Sequence, residues 1–172
     1  PPPQLSSVRA LMNAGEQVTA EVVDAFLRLT GLDGRVMQPA FGMAETATCV
    51  TYCTDYGADR LQLRLTADGE ATEDEAGGQA RSFIDLGPPV PGVELRIVSP
   101  PRGDATPRAT LRELQVGHLQ IRGACVMRGY HDHPAANAEC MVGDGWLDSG
   151  DLGLLHRGRL VLTGRAKEVV IL

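Results

Sequence analysis

The run GPPVPGVELRIVS, Gly87 to Ser99, marks where the chain changes character. Three prolines and two glycines between Gly87 and Gly92 hold the backbone to extended and turn conformations. Directly after them, Val93, Leu95 and Ile97 recur at every second position, the period of a strand buried on one face. Downstream, VGHLQIRG, GRLVLTG and EVVIL are further short apolar runs between glycines. Only PAANAEC reads as helix, with Pro134 at the favoured first position. Many short strands with glycine turns predict a small antiparallel sheet or barrel beyond residue 87.

Upstream the texture differs. VRALMNAGE, from Val8, is an apolar run of strand length that ends in a glycine turn. TAEVVDAFLRLTG predicts a helix, with Thr19 as its cap, Glu21 at its positive end and Val22, Phe26 and Leu29 along one face. Gly31 closes it in a left-handed conformation. RVMQPAFG reads as a second buried strand, and strand, helix, strand with short links predicts a parallel α/β unit. LQLRL alternates as a short strand. TADGEATEDEAGGQA holds five carboxylates and no aromatic residue, so it reads as a mobile surface loop, with an acidic binding loop as the alternative. No internal repeat is visible. The expected fold is therefore α/β followed by mostly β.

Composition narrows the function classes. The chain has 172 residues, 43% hydrophobic and 22% charged, as in soluble globular proteins. No apolar run approaches the ~18 residues of a membrane span, and PPPQLSSVRA does not read as a signal peptide. Cys49, Cys53, Cys125 and Cys140 are too few and scattered for a disulfide framework, which points to reduced thiols in the cytoplasm. A net charge of −6 argues against a nucleic-acid partner.

Three short motifs carry candidate chemistry, and each has a plain reading beside the functional one. FGMAET, Phe41 to Thr46, falls at the end of the second expected strand, where parallel α/β sheets bind ligands. It offers an aromatic face, a glycine that permits close approach and a glutamate able to hold a divalent cation. It also reads simply as a strand-to-helix turn with a packed Phe. In GWLDSGD, Asp148 caps a turn and Asp151 is able to accept two hydrogen bonds from a diol, although aspartates beside glycine commonly cap turns. GRAKEVVIL sets Arg165 and Lys167 just before a strand, where solvated charge is the common use. HDH, His131 to His133, gives a weak metal signal. Cys49 and Cys53, at i and i+4, are spaced so that a helix could place them on one face, and they read as buried packing rather than redox chemistry.

In order, FGMAET, GPPVPGVELRIV, GHLQIRGACVMRGYHDHPAANAE, GWLDSGDLG and GRLVLTGRAKEVVIL resemble the acyl-adenylate-forming superfamily. The resemblance runs from Asn13 to Leu172. It is nearest to the acyl-ligase and fatty acyl-AMP ligase-like loading domains of polyketide and hybrid polyketide–nonribosomal peptide synthases. Ala44 stands where the superfamily usually has Thr, and fatty acyl-AMP ligases share that Ala. The fold this implies is the C-terminal half of the large N-terminal domain, part of a parallel α/β sheet plus a small distorted β-barrel. Its subdomains would be residues 1–87 (partial α/β, nucleotide-binding), 88–166 (barrel-like) and 167–172, the hinge and the start of a C-terminal domain.

The resemblance also implies roles. Gly15 and Glu16 of NAGE would edge the adenine of ATP or AMP, on which Phe41 would stack beside Gly42. Glu45 would help hold Mg²⁺ and act in catalysis. Asp151 would bind both ribose hydroxyls, and Arg165 would reach the ribose and phosphates as a cofactor-binding and catalytic residue. Trp146 and Asp148 would shape the turn. Lys167 would be the hinge. Asn13, Ala14, Gly42, Met43 and Ala44 would touch the substrate acid. The implied activity is ATP-dependent conversion of a carboxylic acid to acyl-AMP. Transfer to the phosphopantetheine thiol of an acyl or peptidyl carrier protein would follow. A free-standing acyl-CoA ligase and a degenerate, non-catalytic adenylation-like module are the alternatives. The phosphate loop of this superfamily would precede Pro1 and the catalytic lysine would follow Leu172, so this stretch alone is expected to be inactive and prone to self-association. Neither nucleic acid nor membrane is expected as a partner.

Overall fold

A computed structural model describes residues 5–56, 61–66, 69–73, 81–101 and 108–166. Strand β1 (Leu11–Asn13) lies parallel to β2 (Met37–Gly42), and β2 pairs antiparallel with β3 (Cys49–Tyr52). Helix α1 (Ala20–Thr30) joins β1 to β2, which gives the expected parallel unit, though β1 is shorter than its apolar run. Gly31 ends α1 at φ 69°, while Thr19 sits at the N-cap without a side-chain cap bond.

The apolar face of α1 is turned outward. Val22 and Leu29 are 66% and 80% exposed and Phe26 is 39% exposed, while Ala20 and Val23 are buried and Leu27 packs against the core. Val22, Phe26 and Leu29 do share a face, as the helical period predicts, and the packed face is the other one, with Ala20, Val23 and Leu27. Cys49 and Cys53 do not share a helix face, because Cys49 begins β3 and Cys53 follows its end. Cys53 is buried, and burial pushes its thiol up to about 11.

Beyond these, β4 (Leu61–Leu65) pairs with β5 (Ala71–Glu73) and β6 (Arg81–Phe83) in a small antiparallel sheet. Part of the stretch expected to be a mobile loop is thus strand β5, with Ala71 buried. Residues 67–68 and 74–80 of that stretch lie outside the described residues.

The second half forms a four-stranded antiparallel sheet ordered β10-β9-β8-β7, from β7 (Val93–Val98), β8 (Gly117–Gly123), β9 (Trp146–His156) and β10 (Arg159–Arg165). Helix α2 (Pro134–Cys140) starts at Pro134 as expected. Both edges are covered: Leu86 N–H donates to Leu160 O beside β10, and Leu111 N–H donates to Ile97 O beside β7. Covered edges resist further strand addition.

Within GWLDSGDLG, Gly145 is a turn residue and everything from Trp146 on is strand. Trp146 to His156 is continuous in β9, and the register slips between His118 and Gln120 of β8, so Ser149, Gly150 and Asp151 bulge opposite Leu119. Gly150 and Asp151, which read as part of a turn, belong to this bulge, while Asp148 is paired in register with Gln120. Trp146 and Asp148 both shape the local backbone as expected: Trp146 N–H donates to Gly143 O at 3.0 Å, closing a turn before the strand, and Asp148 Oδ1 accepts from Gly150 N–H at 3.1 Å. The guanidinium carbons of Arg96 and Arg122 lie 4.0 Å and 4.7 Å from the centre of the indole ring, and Asp148 ion-pairs with Arg108.

Successive residues of β10 serve two cores, because strand side chains alternate in direction. Leu160 joins Ala20, Val23, Phe41, Val50, Ile97, Leu119 and Ile121, which binds the first sheet to the second. Val161 joins Leu63, Ala71 and Leu154 under the β4–β6 sheet. Arg159 adds polar ties, pairing with Asp85 and with Asp55 at 2.6 Å. The EVVIL strand and Lys167 lie outside the described residues.

Candidate functional site

Where the end of β2 meets the bulge in the middle of β9 and the end of β10, a cleft of about 970 Å³ opens, a size suited to a nucleotide-sized ligand. From the first sheet come Gly15, Glu16, Phe41, Gly42 and Met43; from the second come Asp151 and Leu162 to Arg165. Leu65, Phe83, Ile84 and Leu86 add apolar surface. Gly15, Glu16, Phe41, Gly42, Met43, Asp151 and Arg165, expected from sequence, therefore share one cavity. Gln17, Thr19, Glu21 and Thr163 join Glu16, Asp151 and Arg165 in a largely polar lining.

The bulge in β9 presents Asp151. The Ser149 hydroxyl donates to Leu119 O at 3.1 Å and accepts from Asp151 N–H at 3.1 Å, which fixes the local backbone. Asp151 is buried, and Arg165, its register partner on β10, donates from Nε to Oδ1 at 3.1 Å. Burial raises the Asp151 carboxyl above the usual aspartate range, and the Arg165 guanidinium and Ser149 pull it back. The guanidinium is largely exposed, with 61% of the side chain accessible, so it is free to reach a second anion while holding the first.

Phe41 is buried at the base of the cleft, next to Gly42. The space beside Gly42 is already used: a Cβ there would lie 2.2 Å from Cys49 Cα and 2.4 Å from Thr48 O. The close approach that requires this glycine is made by the protein's own β3. Asn13, Ala14, Ala44 and Glu45 flank the cleft without lining it. Asn13 is occupied in register with Pro39, and the 3₁₀ turn Ala44–Thr46 carries Glu45 toward another partner. That partner is Tyr130, whose hydroxyl donates to Glu45 Oε1 at 2.5 Å. Sequence reasoning missed Tyr130, because the two residues are 85 positions apart. It also missed Leu162 to Gly164, whose only signal was adjacency to Arg165.

Among the described residues no cluster of three or more His, Cys, Asp or Glu is arranged to hold a metal. Glu45 alone offers one carboxylate, with Oε2 free of side-chain bonds among the described residues. Such a single hard oxygen ligand fits Mg²⁺, which keeps several waters and takes phosphate oxygens as further ligands. Among the same residues no helix is long and apolar enough to cross a membrane.

Fold and cleft together define the class: this is the C-terminal part of an adenylation domain. The chain belongs to the AMP-binding enzyme family, which matches residues 1–131. It superposes with TM-score 0.83 and 36% identity on the adenylation domain of a keto acid-selecting nonribosomal peptide synthetase module bound to keto acyl adenylate, covering 96% of this chain and 31% of that one. A structure from a study of fatty acyl-adenylate ligases of E. coli and L. pneumophila matches at TM-score 0.82 and 27% identity, over 98% of this chain and 30% of that one. Atromentin synthetase of Tapinella panuoides is 33% identical over 175 residues, which is 97% of this chain and 16% of that protein. A Paxillus involutus relative, equally 33% identical with the same coverage, is named an inactive atromentin synthetase. The chain thus spans about a sixth of the length of the curated relatives it matches.

Proposed function

We propose that the protein carrying this chain activates a carboxylic acid as acyl-AMP and passes the acyl group to the phosphopantetheine thiol of a carrier protein. One observation carries the reading: residues of two different sheets, Phe41 and Gly42 on one and Asp151 and Arg165 on the other, converge on a single cleft. In this reading Phe41 underlies the adenine, edged by Gly15 and Glu16. Ionised Asp151 accepts from both ribose hydroxyls, which makes those bonds charge-assisted. Arg165 turns toward the phosphates, held at its Nε end by Asp151. Glu45 supplies one oxygen to Mg²⁺, an ion that offsets the repulsion between the substrate carboxylate and the α-phosphate when bound. Met43 and Gly42 stand on the acid side.

In the reaction, a carboxylate oxygen of the acid attacks the α-phosphorus of ATP, and the bond to pyrophosphate breaks. A thiol sulfur then attacks the acyl carbon, and AMP leaves. Lys167 is proposed as the hinge between these steps, and residues 1–87 and 88–166 as the two subdomains.

Full-length protein incubated with ATP and a panel of carboxylic acids, with products followed by mass spectrometry, tests the proposal. The expected result is acyl-AMP from at least one acid and a mass increase on the carrier domain, with little acyl-CoA. Dominant acyl-CoA would favour the coenzyme A ligase. AMP binding without any turnover would favour the non-catalytic module, a reading that the inactive relative keeps in view.

A further inference from the structure

Glu45 is not left to find its own orientation. The segment that follows β8 grips it twice: Met127 N–H donates to Glu45 O at 2.8 Å, and the Tyr130 hydroxyl donates to Oε1 at 2.5 Å. Tyr130 is in turn clamped by α2. The Asn137 side chain accepts from Tyr130 N–H at 2.6 Å and donates from Nδ2 to Tyr130 O at 2.9 Å, pairing both backbone polar groups of the tyrosine with one amide. Between the grips lies Gly129, with φ at +141°, where a Cβ would meet Asn137 Oδ1 at 2.9 Å. A bare backbone at residue 129 is what lets the amide sit this close.

We infer that Tyr130, held by Asn137, is a positioning residue for Glu45, fixing its carboxylate so that Oε2 is presented to the divalent cation. The inference rests on the proposed role of Glu45. A phenol that donates to one carboxylate oxygen stops rotation about the terminal torsion and occupies the oxygen not needed by the metal. Partners of this kind, behind a metal ligand, typically change metal affinity by about 10- to 100-fold when removed. A tyrosine phenol keeps its proton at neutral pH and so remains a donor.

Tyr130→Phe removes only the hydroxyl. In full-length protein with ATP present, Mn²⁺ is titrated and its free concentration read by electron paramagnetic resonance. Tyr130→Phe is expected to weaken Mn²⁺ binding by about tenfold, with metal-free ATP binding in chelator and the thermal midpoint both unchanged. Glu45→Gln is expected to weaken Mn²⁺ binding further, and adding Tyr130→Phe to it should change nothing. Wild-type Mn²⁺ affinity in Tyr130→Phe, with weakened binding in Glu45→Gln, would overturn the positioning role alone. Unchanged Mn²⁺ affinity in Glu45→Gln would overturn the metal role of Glu45 and the inference with it. A tenfold loss from Tyr130→Phe that persists undiminished in the Glu45→Gln background would also overturn it.

Discussion

In the proposed role, Asp151 answers to two opposed requirements. Its burial favours the protonated acid, whereas a ribose diol needs the ionised form, and Arg165 and Ser149 hold the balance partway back. For folding, a raised carboxyl pKa means that the folded chain binds the extra proton more readily, so this group's contribution is greatest below the ordinary aspartate range and lost as pH rises through the raised value. For nucleotide binding the sign reverses, because the proton must leave. AMP affinity should therefore decline on acidification, starting above the ordinary aspartate range and approaching about tenfold per pH unit below the raised pKa. Asp151→Asn should bind AMP more weakly at neutral pH, with this decline removed. Calorimetric titration of full-length wild type and variant from about pH 7.5 down to about pH 5 checks both points. Identical pH slopes in the two proteins would contradict the assignment. The position of this aspartate was legible in GWLDSGD; its burial was not, since nothing local in the sequence shows that the opposite strand turns the bulge inward.

At the scale of elements, β2 and β3 meet more closely than their sequences suggest. Their register slips between Phe41 and Gly42, and the slip brings the Cys49 backbone against the glycine. Backbone cannot swing aside as a side chain can. Gly42→Ala should therefore cost more than about 3 kcal/mol, beyond ordinary overpacking, and should lower AMP binding with it because Phe41 and Met43 flank the slip. Denaturant unfolding of full-length protein measures this; a stability within about 0.5 kcal/mol of wild type, the range of a neutral surface change, would contradict it. Elements with a clean period were legible beforehand. The alternation of Val93, Leu95 and Ile97 gave β7, and Pro134 gave the start of α2. The failures have a common physical source, which is that glycine and aspartate serve bulges as readily as turns. Ser149 to Asp151 form a bulge within an eleven-residue strand, and a local pattern does not distinguish that from a turn between two short ones. β5 was hidden for a related reason, its single buried residue, Ala71, standing among carboxylates.

For the whole molecule, order along the chain said more than any single motif. Five ordered pieces pointed to one family, and the structure brings residues from the first, fourth and fifth of them together around one cleft. What order and period leave open is direction: Val22, Phe26 and Leu29 do share a face of α1, yet that face looks outward while Ala20 and Val23 carry the packing. The central claim is that an adenosine nucleotide bridges the two sheets in this cleft. Hydrogen–deuterium exchange of full-length protein with and without AMP tests it most directly. Protection is predicted to appear together at residues 40–43, 149–152 and 162–165, while 93–98 in β7 and 117–123 in β8 stay unchanged. Protection limited to one sheet, or absent from all three segments while AMP is bound, would contradict the account.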